Sequence, residues 1–254
     1  MRHRALFVAA FAAAAFDASG AILYDNGGIV THPGGGFGGA DASVLQSSLG
    51  LNTYGFSCHV PANNWVADDF TVGAGEVWTI ESMDFLGYQT GSGVEPTIND
   101  LRIVIFDAEP VGPPFGTPSL GNTSTNVFGS ASFSGIYRSI EGNETANNRP
   151  VMRVRSRTLG WVLGPGTYWV AWQMGGTLGV GPFQPPVTLL GLRNKPGSNA
   201  RHFTMPGWNP AFDTGLAAAP QDMPFVIHGS AVPEHATIVA LACGFTLLAM
   251  RRKR

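Results

Sequence analysis

The sequence predicts an all-β protein, specifically a two-sheet β-sandwich of jelly-roll type. Short runs rich in Val, Ile, Thr and aromatic residues alternate with clusters of Gly, Pro, Asn and Asp, as hairpin-forming strands require. The chain contains 34 Gly and 18 Pro and is only 13% charged, and both residue types are costly inside helices. Many short strands joined by Gly- and Pro-rich turns favour a sandwich over other architectures.

The first 21 residues have the pattern of a secretory signal peptide. Arg2 and Arg4 precede the apolar run at residues 5–16, and small residues follow at positions 18–21. This order of charge, short apolar run and small residues is the pattern that a signal peptidase removes. We therefore expect residues 1–21 to be cleaved and residues 22–230 to form one exported β-sandwich domain.

Six runs in the central region are the clearest strand predictions. Within one of them, residues 152–157, Arg153, Arg155 and Arg157 alternate with less polar side chains, which predicts a half-exposed strand. The predicted strands are residues 65–72, 76–89, 101–108, 151–163, 167–174 and 225–230.

The charge of this domain excludes one class of partner. Residues 22–230 carry nine cations against fifteen carboxylates, a net charge near −6, and no basic stripe. Nucleic acid is therefore not an expected partner.

Cys58 and Cys243 are the two cysteines, and Cys243 lies in the C-terminal apolar run. We expect no disulfide framework, and Cys58 is predicted to be a small buried apolar residue.

The C-terminal 24 residues, 231–254, have the layout of a sorting tail. A short motif, Val232, Pro233, Glu234 and His235, precedes an apolar run at residues 236–250. The chain then ends in the cations Arg251, Arg252, Lys253 and Arg254, which are retained on the cytoplasmic side of a membrane. Fifteen helical residues span about 22 Å, less than the roughly 30 Å hydrocarbon core, so the run suits transient retention better than permanent anchoring.

This tail resembles the PEP-CTERM sorting signal, with His235 in the position of the second proline. The resemblance implies processing by an exosortase-type membrane enzyme and release to the cell surface or extracellular matrix. A plain C-terminal membrane anchor is the alternative. The central region is also similar, more loosely, to exported bacterial proteins with a jelly-roll domain, through residues 67–72, 78–80, 85–91 and 163–169.

Asp68 and Asp69 are candidate oxygen ligands for Ca²⁺, together with Asp25 or Asp84. Calcium needs six to eight oxygens, and loops of β-sandwiches often supply them. No D-x-D-x-D-G loop is present, however, and a pair of Asp residues in a strand is more often a turn cap or solvated. The calcium site is thus a hypothesis that competes with a plain structural role.

Aromatic residues are candidates for contact with a polysaccharide. Trp208 is flanked by Gly, Pro and Asn, which predicts an exposed indole, and Trp169 is a second candidate glycan contact. Strand alternation places Trp169 on the opposite face from Tyr168 and Trp172, so at least one of these sets must be core. Packing in the core is the alternative for all of these rings.

No sequence motif of an enzyme is present: G-x-S-x-G, H-E-x-x-H and a phosphate-binding glycine loop are missing. Glu76, Glu81, Asp84 and Glu95 could include a glycosidase carboxylate pair. The leading hypothesis is an exported structural or adhesive surface protein without catalytic activity. The alternatives are a carbohydrate-binding module and, less favoured, a secreted hydrolase.

Overall fold

The computed structural model describes residues 20–113, 115–216 and 218–233, and this part of the chain is all-β. The all-β prediction is therefore confirmed. Most of the predicted signal peptide, Glu234, His235, the apolar run at 236–250 and the terminal cations lie outside the described residues. Among the residues that are described, no helix is long and apolar enough to cross a membrane.

In the described part of the chain, fifteen strands, numbered in chain order, are connected by loops and three short 3₁₀ turns. The strands are β1 (Ala21–Asp25), β2 (Asp41–Leu45), β3 (Phe56–Ser57), β4 (Trp65–Val72), β5 (Glu76–Gly87), β6 (Ile98–Phe106), β7 (Leu120–Gly121), β8 (Phe128–Ile140), β9 (Pro150–Ser156), β10 (Trp161–Leu163), β11 (Gly166–Gly176), β12 (Phe183–Gln184), β13 (Arg201–Thr204), β14 (Gly207–Pro210) and β15 (Phe225–Pro233). The 3₁₀ turns are Phe37–Gly39, Ser47–Leu49 and Val60–Ala62.

Two large sheets contain nearly all of these strands. The seven-stranded sheet has the order β1-β15-β5-β9-β8-β2, with β10 beside β5, and the six-stranded sheet has the order β14-β13-β4-β11-β6-β7. Strands β3 and β12 form a separate two-stranded sheet. The pairs β1–β15, β4–β11, β5–β9 and β6–β7 are antiparallel and nested, so that early strands pair with late ones.

The main core lies between the two large sheets. It joins Phe85 and Phe225 of the seven-stranded sheet to Phe70 and Trp172 of the six-stranded sheet. The Phe85 and Trp172 rings are 4.6 Å apart between centroids, a separation at which aromatic pairs add stability beyond their buried area. This packing fixes the sheets face to face.

A second apolar cluster covers the outer face of the six-stranded sheet. Alternation along β11 places Val170 and Trp172 in the main core and Trp169 and Ala171 in this outer cluster. The β13–β14 hairpin and the loop containing Phe115 close over the outer cluster. Both faces of β11 are therefore buried.

The observed strands overlap all six predicted runs, but they differ in several bounds and include strands that were not predicted. Strand β4 has the predicted bounds, whereas the run at 151–163 is two strands separated by a turn in which Gly160 has φ +66°. Strand β8, in a Ser- and Gly-rich stretch, was not predicted. Strand β15 continues to Pro233, so that Val232 and Pro233 of the predicted sorting motif pair with Val77 and Glu76.

Candidate functional site

A groove of about 560 Å³ opens at the end of the sandwich where β4 begins and β5 ends. Its walls come from segments that are far apart in the sequence. The lining residues are Asn52, Thr53, Tyr54, Gly55, Phe56, Ser57, Tyr88, Thr90, Arg149, Phe183, His202, Pro210, Phe212 and Thr214.

Two buried, oppositely charged side chains hold one wall of the groove in place. The Arg138 guanidinium donates Nε–H to the carbonyl of Tyr54 at 2.8 Å and Nη2–H to that of Thr53 at 3.2 Å. From the other side, the Asp213 carboxylate accepts the backbone N–H groups of Asn52 and Thr53. Because both carbonyls and amides are bonded to buried groups, residues 52–54 form a preorganised wall.

Aromatic rings form much of the groove surface. The Arg149 guanidinium lies 4.0 Å from the centroid of the half-buried Tyr54 ring, in a cation–π contact. Tyr88 and Phe183 stack with centroids 5.6 Å apart. Phe212 is 46% exposed, and so offers a ring face to a ligand without rearrangement. Flat rings at a groove are the usual platform for sugars, whose C–H faces stack on them.

Burial favours the uncharged form of three titratable side chains at or next to the groove, namely Tyr88, Cys58 and His202. Burial raises the pKa of the Tyr88 hydroxyl to about 12, and burial raises the pKa of the Cys58 thiol behind Phe56 to about 12. Burial lowers the pKa of His202, which outweighs its hydrogen bond to the Ser57 carbonyl at 2.9 Å. None of the described lining residues is acidic. The arrangement is suited to binding a hydroxyl-rich ligand, and it places no charged nucleophile or general acid in the groove.

Trp208 and Trp169, the two predicted glycan contacts, do not lie in this groove. They are 4% and 5% exposed, and the prediction that Trp208 is exposed is wrong. The Trp208 indole packs on Phe203 and Phe115 and donates its Nε1–H to the Phe115 carbonyl at 2.8 Å. The β13–β14 turn does contain Gly and Pro, but the hairpin folds its indole inward to complete the outer cluster.

Asp68 and Asp69 point to opposite faces of β4 and do not form a paired oxygen site. Asp68 is buried and accepts hydrogen bonds from the Asn26 side chain and from the backbone N–H groups of Met223 and Asp69. Burial, and then the charge of Asp222, raises the pKa of Asp68 well above its usual range. Among the described residues no group of three or more His, Cys, Asp or Glu side chains is placed to hold a metal ion.

Asp84 was a candidate both for a metal ligand and for a catalytic carboxylate, but its oxygens are hydrogen-bonded by basic side chains. It accepts two hydrogen bonds from Arg155, at 2.6 and 2.8 Å, and one each from Arg153 and His228. Burial alone would raise the pKa of Asp84, but the hydrogen bonds and charge of Arg155 outweigh it, and the pKa is lowered. A glycosidase acid needs the opposite shift, toward a protonated carboxyl at neutral pH.

Sequence reasoning missed the groove residues Tyr54, Arg149 and Phe212. Each lies in a loop, and their partners are distant in sequence, so neither periodicity nor spacing links them. An aromatic residue next to Gly or Asp outside the predicted strands, as at Tyr54 and Phe212, was the available signal.

Comparison with family models, with curated proteins and with solved structures gave no match for this chain.

Proposed function

We propose that this protein is an exported surface or matrix protein whose jelly-roll sandwich binds polysaccharide in the end groove and is not an enzyme. The observation that carries the binding proposal is the groove itself. It combines the exposed Phe212 ring and the Tyr54–Arg149 stack with uncharged hydrogen-bonding groups from Asn52, Thr53 and Thr214. Aromatic faces surrounded by a few fixed polar groups are what a sugar site requires.

The strand order supports the jelly-roll assignment. Eight strands, β1, β4, β5, β6, β7, β9, β11 and β15, pair first with eighth, second with seventh, third with sixth and fourth with fifth. This nesting is that of a long hairpin rolled into two facing sheets, as in jelly rolls. The remaining strands are additions at its edges and ends.

Export through a PEP-CTERM-like tail remains part of the proposal, and the placement of the chain ends supports it. Ala21 pairs with Gly229, and Pro233 pairs with Glu76, so the segments that precede and follow the sandwich leave from the same region. Tyr88 of the groove directly follows the other end of β5. The twelve residues of β5 span about 40 Å at 3.3 Å per residue, so a membrane-held tail would leave the groove facing away from the membrane.

A mass measurement of the cell-associated protein tests the export proposal. We expect a chain that begins near residue 22 and, after exosortase-type processing, ends near Glu234. A soluble cytoplasmic chain that retains residues 1–21 would contradict export, and an exported chain that still ends at Arg254 would support the plain anchor instead.

Affinity electrophoresis tests the binding site. The full chain, in a detergent without a sugar headgroup, is run through gels that contain one neutral or one acidic polysaccharide. We expect retardation by at least one polymer, and Phe212→Ala should weaken that binding about tenfold, which corresponds to about 1.4 kcal/mol of lost contact with the ring.

Phe37→Ala is the matched control, since Phe37 is also 46% exposed but lies outside the groove. If Phe37→Ala and Phe212→Ala weaken binding equally, the groove is not the site. If no polysaccharide retards the wild-type protein, the carbohydrate proposal is wrong and the structural or adhesive role stands alone.

A further inference from the structure

Arg149 is the one arginine, lysine or acidic residue among the described residues that line the groove. It lies directly before β9, and its guanidinium lies over the Tyr54 ring. This arrangement positions the cation at the groove surface before any ligand arrives. A positioned guanidinium is the side chain that best matches the two oxygens of a carboxylate or sulfate.

No carboxylate within the described part of the chain forms an ion pair with Arg149. Its side-chain hydrogen bond goes to the neutral Asn148 Oδ1, at 3.3 Å. By contrast, Arg102, Arg153, Arg155 and Arg201 each lie within salt-bridge distance of an acidic residue. The N–H groups of Arg149 are thus available to an external anion.

A second positive charge lies just beneath the groove wall. Arg138 is buried, and its guanidinium is satisfied by carbonyl and hydroxyl oxygens of Ser43, Thr53, Tyr54 and Thr188, with no carboxylate bonded to it. Charges in a low-dielectric interior act over longer distances than charges in water. The nearby Asp213 offsets one of the two cations, which leaves the groove with an excess of positive charge.

The sign of this charge is unusual for the molecule. Residues 20–233 carry a net charge near −6, so a cationic groove is not a general property of the surface. We infer that the groove selects an acidic polysaccharide, one whose sugar units carry carboxylate or sulfate groups, and that Arg149 contacts the anionic group while Tyr54 and Phe212 stack on the sugar rings. This inference rests on the proposed carbohydrate-binding function and specifies its ligand class.

The test compares polygalacturonate with the same polymer after full methyl esterification, which keeps the sugar backbone and removes the charge. Dissociation constants are measured by titrating the full chain over each polymer immobilised on a surface. The salt concentration is about 0.15 M, at which long-range electrostatic attraction is screened. Dextran sulfate is included as a polymer that carries sulfate in place of carboxylate. We expect polygalacturonate, dextran sulfate or both to bind at least about tenfold more tightly than the uncharged ester. If polygalacturonate binds more tightly than dextran sulfate, the preferred anionic group is a carboxylate, and if dextran sulfate binds more tightly, it is a sulfate.

Arg149→Met should remove that preference, because Met keeps an apolar chain over Tyr54 but has no charge and no N–H donor. Arg149→Lys should retain part of it, since the charge is kept and the planar fork is lost. Arg157→Met is the matched control, because Arg157 is exposed, lies outside the groove and changes the net charge equally. Circular dichroism shows whether each variant is folded.

The outcomes separate this inference from the function on which it rests. If neither polygalacturonate nor dextran sulfate binds more tightly than the uncharged ester, or if Arg149→Met and Arg157→Met lose equal affinity, the selection of anions is overturned and polysaccharide binding is left intact. Binding only to neutral polymers would do the same. Absence of binding to every polymer would overturn both.

Discussion

At the scale of single residues, the protonation state of a buried carboxyl group is set by its specific neighbours. Asp84 is 3% exposed in its side chain, yet Arg155 and His228 make it a stable carboxylate on the outer face of the seven-stranded sheet. Asp68 is buried with amide donors and a neighbouring carboxylate, and its pKa moves in the opposite direction. Sequence alone showed two similar Asp positions in strands and could not assign these opposite environments.

The lowered pKa of Asp84 predicts a pH dependence of stability. Because the folded-state pKa lies below the unfolded value of about 3.9, the ion pair stabilises the fold above that pH. This stability is lost as the pH falls through the folded-state pKa. In urea unfolding, Asp84→Asn should lower the free energy of unfolding by about 2 kcal/mol at pH 7, with the difference shrinking below pH 4.

Asp107→Asn is the control, because Asp107 is exposed and forms no ion pair within the described residues. It should change the unfolding free energy by less than about 0.5 kcal/mol at either pH. A constant difference between wild type and Asp84→Asn from pH 7 to pH 3 would show that the ion pair does not control this titration.

At the scale of elements, the sequence predicted strands where packing is strong and failed where it is weak. Strand β4 begins with Trp65, Val66 and Ala67, which are buried on both faces of the strand, and its bounds were predicted correctly. Strand β8 reads FGSASFSGIYRSI, and its first half mixes exposed Gly129, Ser130 and Ser132 with half-buried Phe128, Ala131 and Phe133. These residues do not alternate regularly between apolar and polar, so the period-two signal of a strand is missing.

The bulge in the β15–β5 pair gives a prediction at this scale. The register shifts between His228 and Gly229, and a methyl group at Gly229 would overlap the Thr79 carbonyl oxygen. Gly229→Ala should therefore lower the unfolding free energy by about 2 kcal/mol in urea titration, since backbone must move to accept the methyl. Gly164→Ala is the comparison, because nothing lies within 4 Å of its added methyl. Equal stability of the two variants would contradict the assigned register.

At the scale of the whole molecule, the sandwich separates two regions. The segments that precede β1 and follow β15 leave near one end of β5, and the groove lies at the other end. The signal peptide and the sorting tail, which carry continuous local patterns, stay predictions, and the groove was not predicted at all. The groove exists only after residues 52–57, 149, 183 and 210–214 are brought together by sheet packing, and no local pattern records that juxtaposition.

Hydrogen exchange of the full chain with and without polygalacturonate tests the central claim most directly, since it locates bound polysaccharide on the molecule. We predict slower amide exchange at residues 54–57 and 210–214, with no change at residues 22–30 and 226–228, which border a separate pocket beside Asp84. Phe212→Ala should reduce the protection. Protection confined to residues 22–30 and 226–228, or spread evenly over the surface, would contradict a polysaccharide site in the end groove.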